Sequence, residues 1–105
     1  MTAETVRDNV EANRFELEFD GGVAFVNYTQ AAGARVLTHA EVPLGQRGRG
    51  VGLRLAAGTL QLLRAQGEKV IPRCRFMVRF MERHREYADL LAPAAAASIV
   101  PRAGR

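Results

Sequence analysis

Apolar residues recur at two different spacings along this chain, and the spacing changes at a glycine-rich joint, Arg47-Gly48-Arg49-Gly50-Val51-Gly52. Before the joint the pattern is that of strands. Phe15, Leu17 and Phe19 alternate with Glu16 and Glu18, the period of a strand with one buried face. Asp20-Gly21-Gly22 suits a tight turn, and Val23 to Tyr28 is apolar and rich in strand formers, so the two segments read as a hairpin. Thr5 to Asp8 adds an edge strand, Gln30 to Ala34 a loop, and Arg35 to Val42 another strand. Pro43 ends that strand because it has no N–H to give to a ladder. After the joint the period is helical. Leu53, Ala56, Ala57, Leu60 and Leu63 recur at helical spacing between Val51 and Gln66, and Gly67 follows as a stop. Gly58 inside this helix costs about 1 kcal/mol against alanine, which close packing on the sheet would explain. Lys69-Val70-Ile71 is a short strand ended by Pro72. Cys74 to Arg83 is a second helix with Phe76, Met77, Phe80 and Met81 on one side, and Tyr87 to Leu91 a further helical turn.

Strands come first and helices later, so the class is α+β with a mixed sheet. The strand–helix–strand unit from Arg35 to Ile71 should be a right-handed crossover between parallel strands. A chain of 105 residues points to one domain with a modest core. We place that domain at residues 1–92 and expect the alanine- and arginine-rich stretch 93–105 to be a poorly ordered tail. No internal repeat is visible. No apolar run approaches the roughly 20 residues that span a bilayer, and Met1 to Val10 has no apolar core of a signal peptide. The expectation is a cytoplasmic protein with no membrane partner, a monomer or weak dimer. The single cysteine, Cys74, excludes an intrachain disulfide framework and a cysteine-rich zinc site. His39, Cys74 and His84 do not fall at metal-ligand spacing, so no metal is expected.

The joint lies between a strand and an amphipathic helix. The first N–H groups of a helix have no internal partner, and with the helix dipole they favour an anion such as a pyrophosphate. Glycine lets that anion approach the backbone. Arg47 and Arg49 add positive charge. The pattern Arg47-x-x-Gly50-x-Gly52 lacks the Gly-Lys-Ser/Thr ending of a nucleotide triphosphate loop and the third glycine of a dinucleotide fingerprint. The bland alternative is a flexible turn with two solvated arginines. The formal charge is +4, and Lys69 is the only lysine among 15 basic residues, the rest being arginine. Arginine forks suit phosphate, whether on a cofactor or on a nucleic acid.

The joint, with the residues around it, resembles the GNAT superfamily of acetyltransferases, whose shared motif is Gln/Arg-x-x-Gly-x-Gly/Ala. The resemblance is closer to a small single-domain GNAT-like subfamily. It is carried by Arg14-Phe15-Glu16, the Tyr28 strand, His39-Ala40-Glu41-Val42-Pro43, Arg47 to Gly52, Ile71-Pro72-Arg73-Cys74 and the segment from His84 to Leu90. Two positions depart from it: Ala40 stands where threonine is usual, and Arg85 where proline is usual. The resemblance implies a mostly antiparallel sheet with a splayed parallel pair and two to three helices. It implies acetyl-CoA as cosubstrate, its pantetheine arm running between the Arg35–Val42 and Val70 strands. The pyrophosphate would sit on the backbone of Gln46, Arg47, Gly48, Arg49, Gly50, Val51 and Gly52. The activity implied is N-acetyl transfer to a primary amine of unidentified structure.

Transfer from a thioester to an amine needs a base for the amine proton, N–H donors for the oxyanion, and stabilisation of the leaving thiolate. The strand backbone near Val42 could supply the donors. His39 and Glu41 are two apart on one strand, so they share a face, and either could be the base. Both could equally be surface residues, or His39 a satisfied core residue. Cys74 sits at the start of a helix beside Arg73 and Arg75, which would lower a thiol pKa and open a route through an acetyl-cysteine. Its plain alternative is a small buried hydrophobe. Tyr87 could be the acid for the thiolate, as the superfamily often uses a helical tyrosine, or simply a packing residue. Two other functions compete: a CoA-binding module without turnover, and a basic nucleic-acid-binding protein. The second is the weaker, because the arginines are dispersed and no aromatic–basic recognition motif appears.

Overall fold

The computed structural model describes residues 5–19, 22–31, 33–43 and 50–93. Asp20 and Gly21 of the first turn, Gln46 with Arg47 to Arg49 of the joint, and the tail from Ala94 onward lie outside the described residues.

The alternating segments pair as the sequence suggests. β2 (Arg14–Phe19) and β3 (Gly22–Ala31) run antiparallel from Arg14↔Asn27 to Phe19↔Gly22. β1 (Val6–Asn9) pairs with the other edge of β2, and β4 (Ala34–Glu41) with β3. The Gln30–Ala34 loop is shorter than expected. Gln30 and Ala31 pair with Arg35 and Ala34, so both strands run on into the expected loop. After helix α1 (Val51–Ala65), β5 (Lys69–Pro72) joins β4 in parallel. The sheet order is β1-β2-β3-β4-β5, an α+β arrangement with one parallel pair. Helix α2 (Arg75–Arg83) and a 3-10 helix (Arg85–Leu90) follow. Leu91 then bridges Val70, and Ala92 N–H donates to Val70 O at 2.9 Å, which covers part of the outer edge of β5. No helix among the described residues is long and apolar enough to cross a membrane.

The core lies between one face of the sheet and α1. Val51, Leu55, Ala56, Leu60 and Leu63 bury against Phe15, Leu17, Ala24, Val26 and Leu37. Leu53, expected on the buried stripe, is 58% exposed. It stands two residues from Leu55, hence on the far side of the helix.

Gly58 faces β1. A Cβ there would overlap Val6 Cγ2 and lie 2.9 Å from Val6 Cβ. The close packing suspected from sequence is therefore present, and its partner is the edge strand. Gly58→Ala should lower the unfolding temperature, because overpacking of about 1–3 kcal/mol outweighs the roughly 1 kcal/mol that alanine adds to the helix. Adding Val6→Ala should recover part of the loss. A stabilised Gly58→Ala chain would contradict this contact.

The second face of the sheet is less open than the alternation suggests. Glu16 is 4% exposed. It accepts hydrogen bonds from Arg7 Nη2 at 2.7 Å, Asn9 Nδ2 at 3.0 Å and Arg14 Nε at 2.6 Å. Burial alone would raise its pKa, but the bonds from Arg14 and Asn9 and the charges of Arg14 and Arg7 outweigh it. The net shift is down, so the carboxylate stays ionised. Arg14 also lies over the Phe25 ring at 4.3 Å.

A second charged cluster closes the end of the sheet remote from the joint. Arg35 Nη1 reaches Asp8 Oδ2 at 3.3 Å and Arg35 Nε reaches Glu68 Oε1 at 3.6 Å. Tyr28 donates its hydroxyl to Asp8 Oδ1 at 2.6 Å.

Candidate active site

β4 carries an irregularity that decides where its side chains point. Leu37 pairs with Tyr28 and His39 with Asn27, so Thr38 is an extra residue, and its Oγ1 donates to Asn27 O at 3.3 Å. Strict alternation would put His39 and Glu41 on the same face as buried Leu37. The bulge resets the period. Ala40 and Val42 now pack against the core, while His39 and Glu41 are 55% and 59% exposed. His39 Nε2 and Glu41 Oε2 lie 3.1 Å apart, and the imidazole sits 6.4 Å from the Phe25 ring. No local pattern in the sequence marks Thr38 as the bulged residue.

The parallel pairing of β4 and β5 is short. It covers Ala34↔Lys69 to Leu37↔Pro72 only, so Thr38 to Glu41 run on past the end of β5 for about 13 Å at ~3.3 Å per residue. At the parting point the N–H groups of Arg73 and Cys74 both donate to Leu37 O, at 2.8 and 3.1 Å. That turns the chain away from β4 and starts α2, with Cys74 as its N-cap at φ −89° and ψ 144°.

Cys74 is half-buried and packs against the core. The lowered thiol pKa expected from its neighbours is not found. Burial pushes it above its usual value of 9.0, outweighing the backbone N–H groups of Met77, Cys74 and Phe76 at the helix start. Arg73 and Arg75 are exposed, where solvent screens them. Alkylation by iodoacetamide should therefore be slow near neutrality, with a rate that has not yet levelled off at pH 9. An inflection below the ordinary thiol range would contradict that.

On the other side of the gap, Gly50 caps α1 in the left-handed region at φ +82°. Its carbonyl accepts the first helical bond, from Arg54 N–H at 3.0 Å. Among the described residues no side chain caps this end, and no acidic residue stands in the first turn. The opening N–H groups are thus not committed to a protein carboxylate, as an anion site requires. A Cβ on Gly52 would stand 3.7 Å from Val42 Cγ2 and 3.4 Å from the Phe76 ring. Val42, Gly52 and Phe76 therefore converge, and Phe76 is a neighbour that spacing alone did not suggest. The backbone there fits a pyrophosphate and an extended amide chain. Gln46, Arg47, Gly48 and Arg49 lie outside the described residues.

Tyr87 is placed elsewhere. Its hydroxyl accepts from Gln61 Nε2 at 3.1 Å, and Arg64 lies over its ring at 5.8 Å. Gln61 is about 16 Å along α1 from Gly50 at ~1.5 Å per residue, so the phenol faces the third turn rather than the glycine end. The site residues brought together are those of β4, the start of α1 and the start of α2.

The model of the GCN5-related N-acetyl-transferase family matches residues 14–90. That span runs from the first residue of β2 to the last of the 3-10 helix. No curated protein matches the chain. Among solved structures, the solution structure of a GCN5-like protein from Staphylococcus aureus is similar, with a TM-score of 0.62 and 22% identity. The match covers 88% of this chain and 91% of that one, and at such identity it speaks for the fold. With the matched span covering four of the five strands, the parted pair among them, and both site helices, the chain belongs to the GCN5-related N-acetyltransferase family.

Proposed function

We propose that this chain transfers the acetyl group of acetyl-CoA to an exposed primary amine by direct attack. One juxtaposition carries the reading. β4 runs past β5 to Glu41, and the next residue, Val42, meets the glycine end of α1 at Gly52. A strand edge suited to the amides of a pantetheine arm thus adjoins a helix start suited to a pyrophosphate.

Acetyl-CoA supplies the thioester. The amine must lose a proton as its C–N bond forms and the C–S bond breaks. His39 is the proposed base: with Nε2–H donating to Glu41, Nδ1 is the nitrogen that takes the proton. The strand backbone near Val42 is the proposed oxyanion donor. The raised thiol pKa favours direct attack over an acetyl-cysteine, since a protonated thiol is a poor nucleophile. Cys74 then serves by packing at the parting point. The acid role considered for Tyr87 has no support from its place beside Gln61. The exposure of His39 and Glu41 supports an open acceptor side, suited to a protein lysine, a protein N-terminus or a polyamine.

The test is thiol release from acetyl-CoA with a panel of amines, run beside His39→Gln. We expect release with at least one exposed amine and a kcat about a hundredfold lower in His39→Gln, with acetyl-CoA affinity kept. Binding without release from any amine would replace this reading by a CoA-binding module.

A further inference from the structure

The arginines that look dispersed in the sequence are not equivalent in the structure. Residues 73 to 85 hold five of the 15 basic side chains and one of the 11 acidic ones, Glu82, while the other residues hold ten of each. The formal excess of +4 is therefore carried by α2 and its flanks. Pairing sharpens the division. Arg7, Arg14, Arg35 and Arg64 are ion-paired, and Lys69 Nζ donates to Asp89 O at 2.8 Å. Arg73, Arg75, Arg79, Arg83 and Arg85 are all exposed, and none of their side chains has an ion-pair or hydrogen-bond partner among the described residues. Arg75, Arg79 and Arg83 are four residues apart, so they form a stripe along α2 that rises about 6 Å per step. The fold gains nothing from it. Like charges at that spacing weaken a helix, and Arg75 stands at the N-terminus, where the helix dipole disfavours a cation.

We infer that the arginine face of α2 docks a nucleic acid by its phosphodiester backbone, without reading its sequence. An isoelectric point near 10.2 with arginines aligned along one helix is the electrostatic footprint of such a partner. A nucleic-acid strand carries a phosphate at every step, so it meets a regular stripe in any register. An acidic protein would need carboxylates placed to match. Each guanidinium fork takes two phosphate oxygens. No aromatic–basic recognition motif accompanies the stripe, so the contact is with the backbone alone. A small ligand does not account for all five arginines. Arg79 and Arg83 line the groove between α1 and α2, whereas Arg73, Arg75 and Arg85 stand outside it. The docking surface stands whether or not the chain turns over acetyl-CoA.

Fluorescence anisotropy with a labelled single-stranded RNA of about 16 nucleotides, read with and without saturating CoA, is the test. Wild type should bind in the micromolar range at about 50 mM salt, with CoA present or absent. The logarithm of its binding constant should fall against log salt with a slope of about −2 or steeper. Arg73→Ala/Arg75→Ala should bind about tenfold more weakly or worse, with a slope shallower by about 1.4. Arg64→Ala removes an exposed but paired cation and should bind as wild type does. Absence of binding by wild type at that salt overturns the proposal. Loss of binding on adding CoA also overturns it, because the arginines would then serve the phosphates of the cosubstrate. An oligo-glutamate peptide that binds more tightly than the RNA would replace the nucleic acid by an acidic protein. An equal loss in Arg64→Ala and Arg75→Ala would trace the binding to net charge and take it off α2. The substituted arginines are exposed, so circular dichroism should show the variants folded.

Discussion

Gly52→Ala will weaken acetyl-CoA binding by about tenfold or more while leaving thermal unfolding unchanged or slightly raised. The two effects separate because the protein itself does not need glycine here. A Cβ at this position would make ordinary van der Waals contact with Phe76 and Val42, at 3.4 and 3.7 Å. Alanine is the better helix former by about 1 kcal/mol, less near a helix end. What the methyl group occupies is the space beside the opening N–H groups of α1, where a phosphate must come close. Gly52→Glu adds a like charge to the same space. At about 4 Å and an effective dielectric constant near 20, that repulsion is about 4 kcal/mol, or on the order of a thousandfold in affinity. Gly50 is a poorer probe. At φ +82° any side chain strains the backbone, and a Cβ would also lie 3.4 Å from Arg54 Nη1. Loss of binding there would mix folding with recognition. Calorimetric titration beside a melting curve checks both quantities, and unchanged affinity in Gly52→Glu would take the pyrophosphate off this turn.

The parts of the fold legible in the sequence are those written in local periodicity. The Phe15-Leu17-Phe19 alternation gave β2 its register with β3, and the helical spacing of Leu60 and Leu63 gave α1 its length. Gly58 signalled a close approach, though its partner Val6 is far away in the chain and could not be named. The parallel return of β5 followed from a strand–helix–strand unit. What stayed hidden depends on contacts between distant segments. Glu16 reads as a solvent residue by alternation, yet Arg7 and Asn9 come from β1 to cover it. Thr38 looks like any strand residue until its pairing with β3 slips by one. That slip, more than the identity of His39 and Glu41, sets which side of the sheet they face.

Cys74 shows the same limit in its chemistry. Two flanking arginines and a helix start are local features, and both point to a reactive thiol. Burial against the core is a long-range feature, and it reverses the sign. The glycine joint is the opposite case. The anion site proposed there rests on the backbone at a helix start, a feature that residue type and position alone predict.

Arg35→Ala should cost about 3–5 kcal/mol of stability, a large share of the roughly 5–15 kcal/mol of a typical domain. Its side chain is 12% exposed, between Asp8 at 13% and Glu68 at 27%. The guanidinium also lies over Tyr28 at 4.6 Å and Phe15 at 5.6 Å. Alanine would leave two poorly hydrated carboxylates without their cation and open space beside both rings. For a domain of this size the unfolding temperature should fall by roughly 15 °C or more. The Arg64–Asp89 pair is shorter, at 2.6 Å, but it is 45% and 59% exposed and screened by water, so Arg64→Ala should have little effect. Distance alone would rank the two pairs the other way, and burial decides. Neutralising the partner along with the cation tests the cause: Arg35→Met/Asp8→Asn should be more stable than Arg35→Ala. Tyr28 reports on the same cluster. Burial, then its hydrogen bond to Asp8, pushes its pKa up to about 12, against about 10 for an unfolded tyrosine. Its contribution is therefore complete below pH 10 and declines as the pH rises through 12. Tyrosinate absorbance should show one such late step in wild type and lose it in Tyr28→Phe. An Arg35→Ala chain that melts with wild type would mean that the cluster decorates the end of the sheet and does not hold β1, β3 and β4 together there.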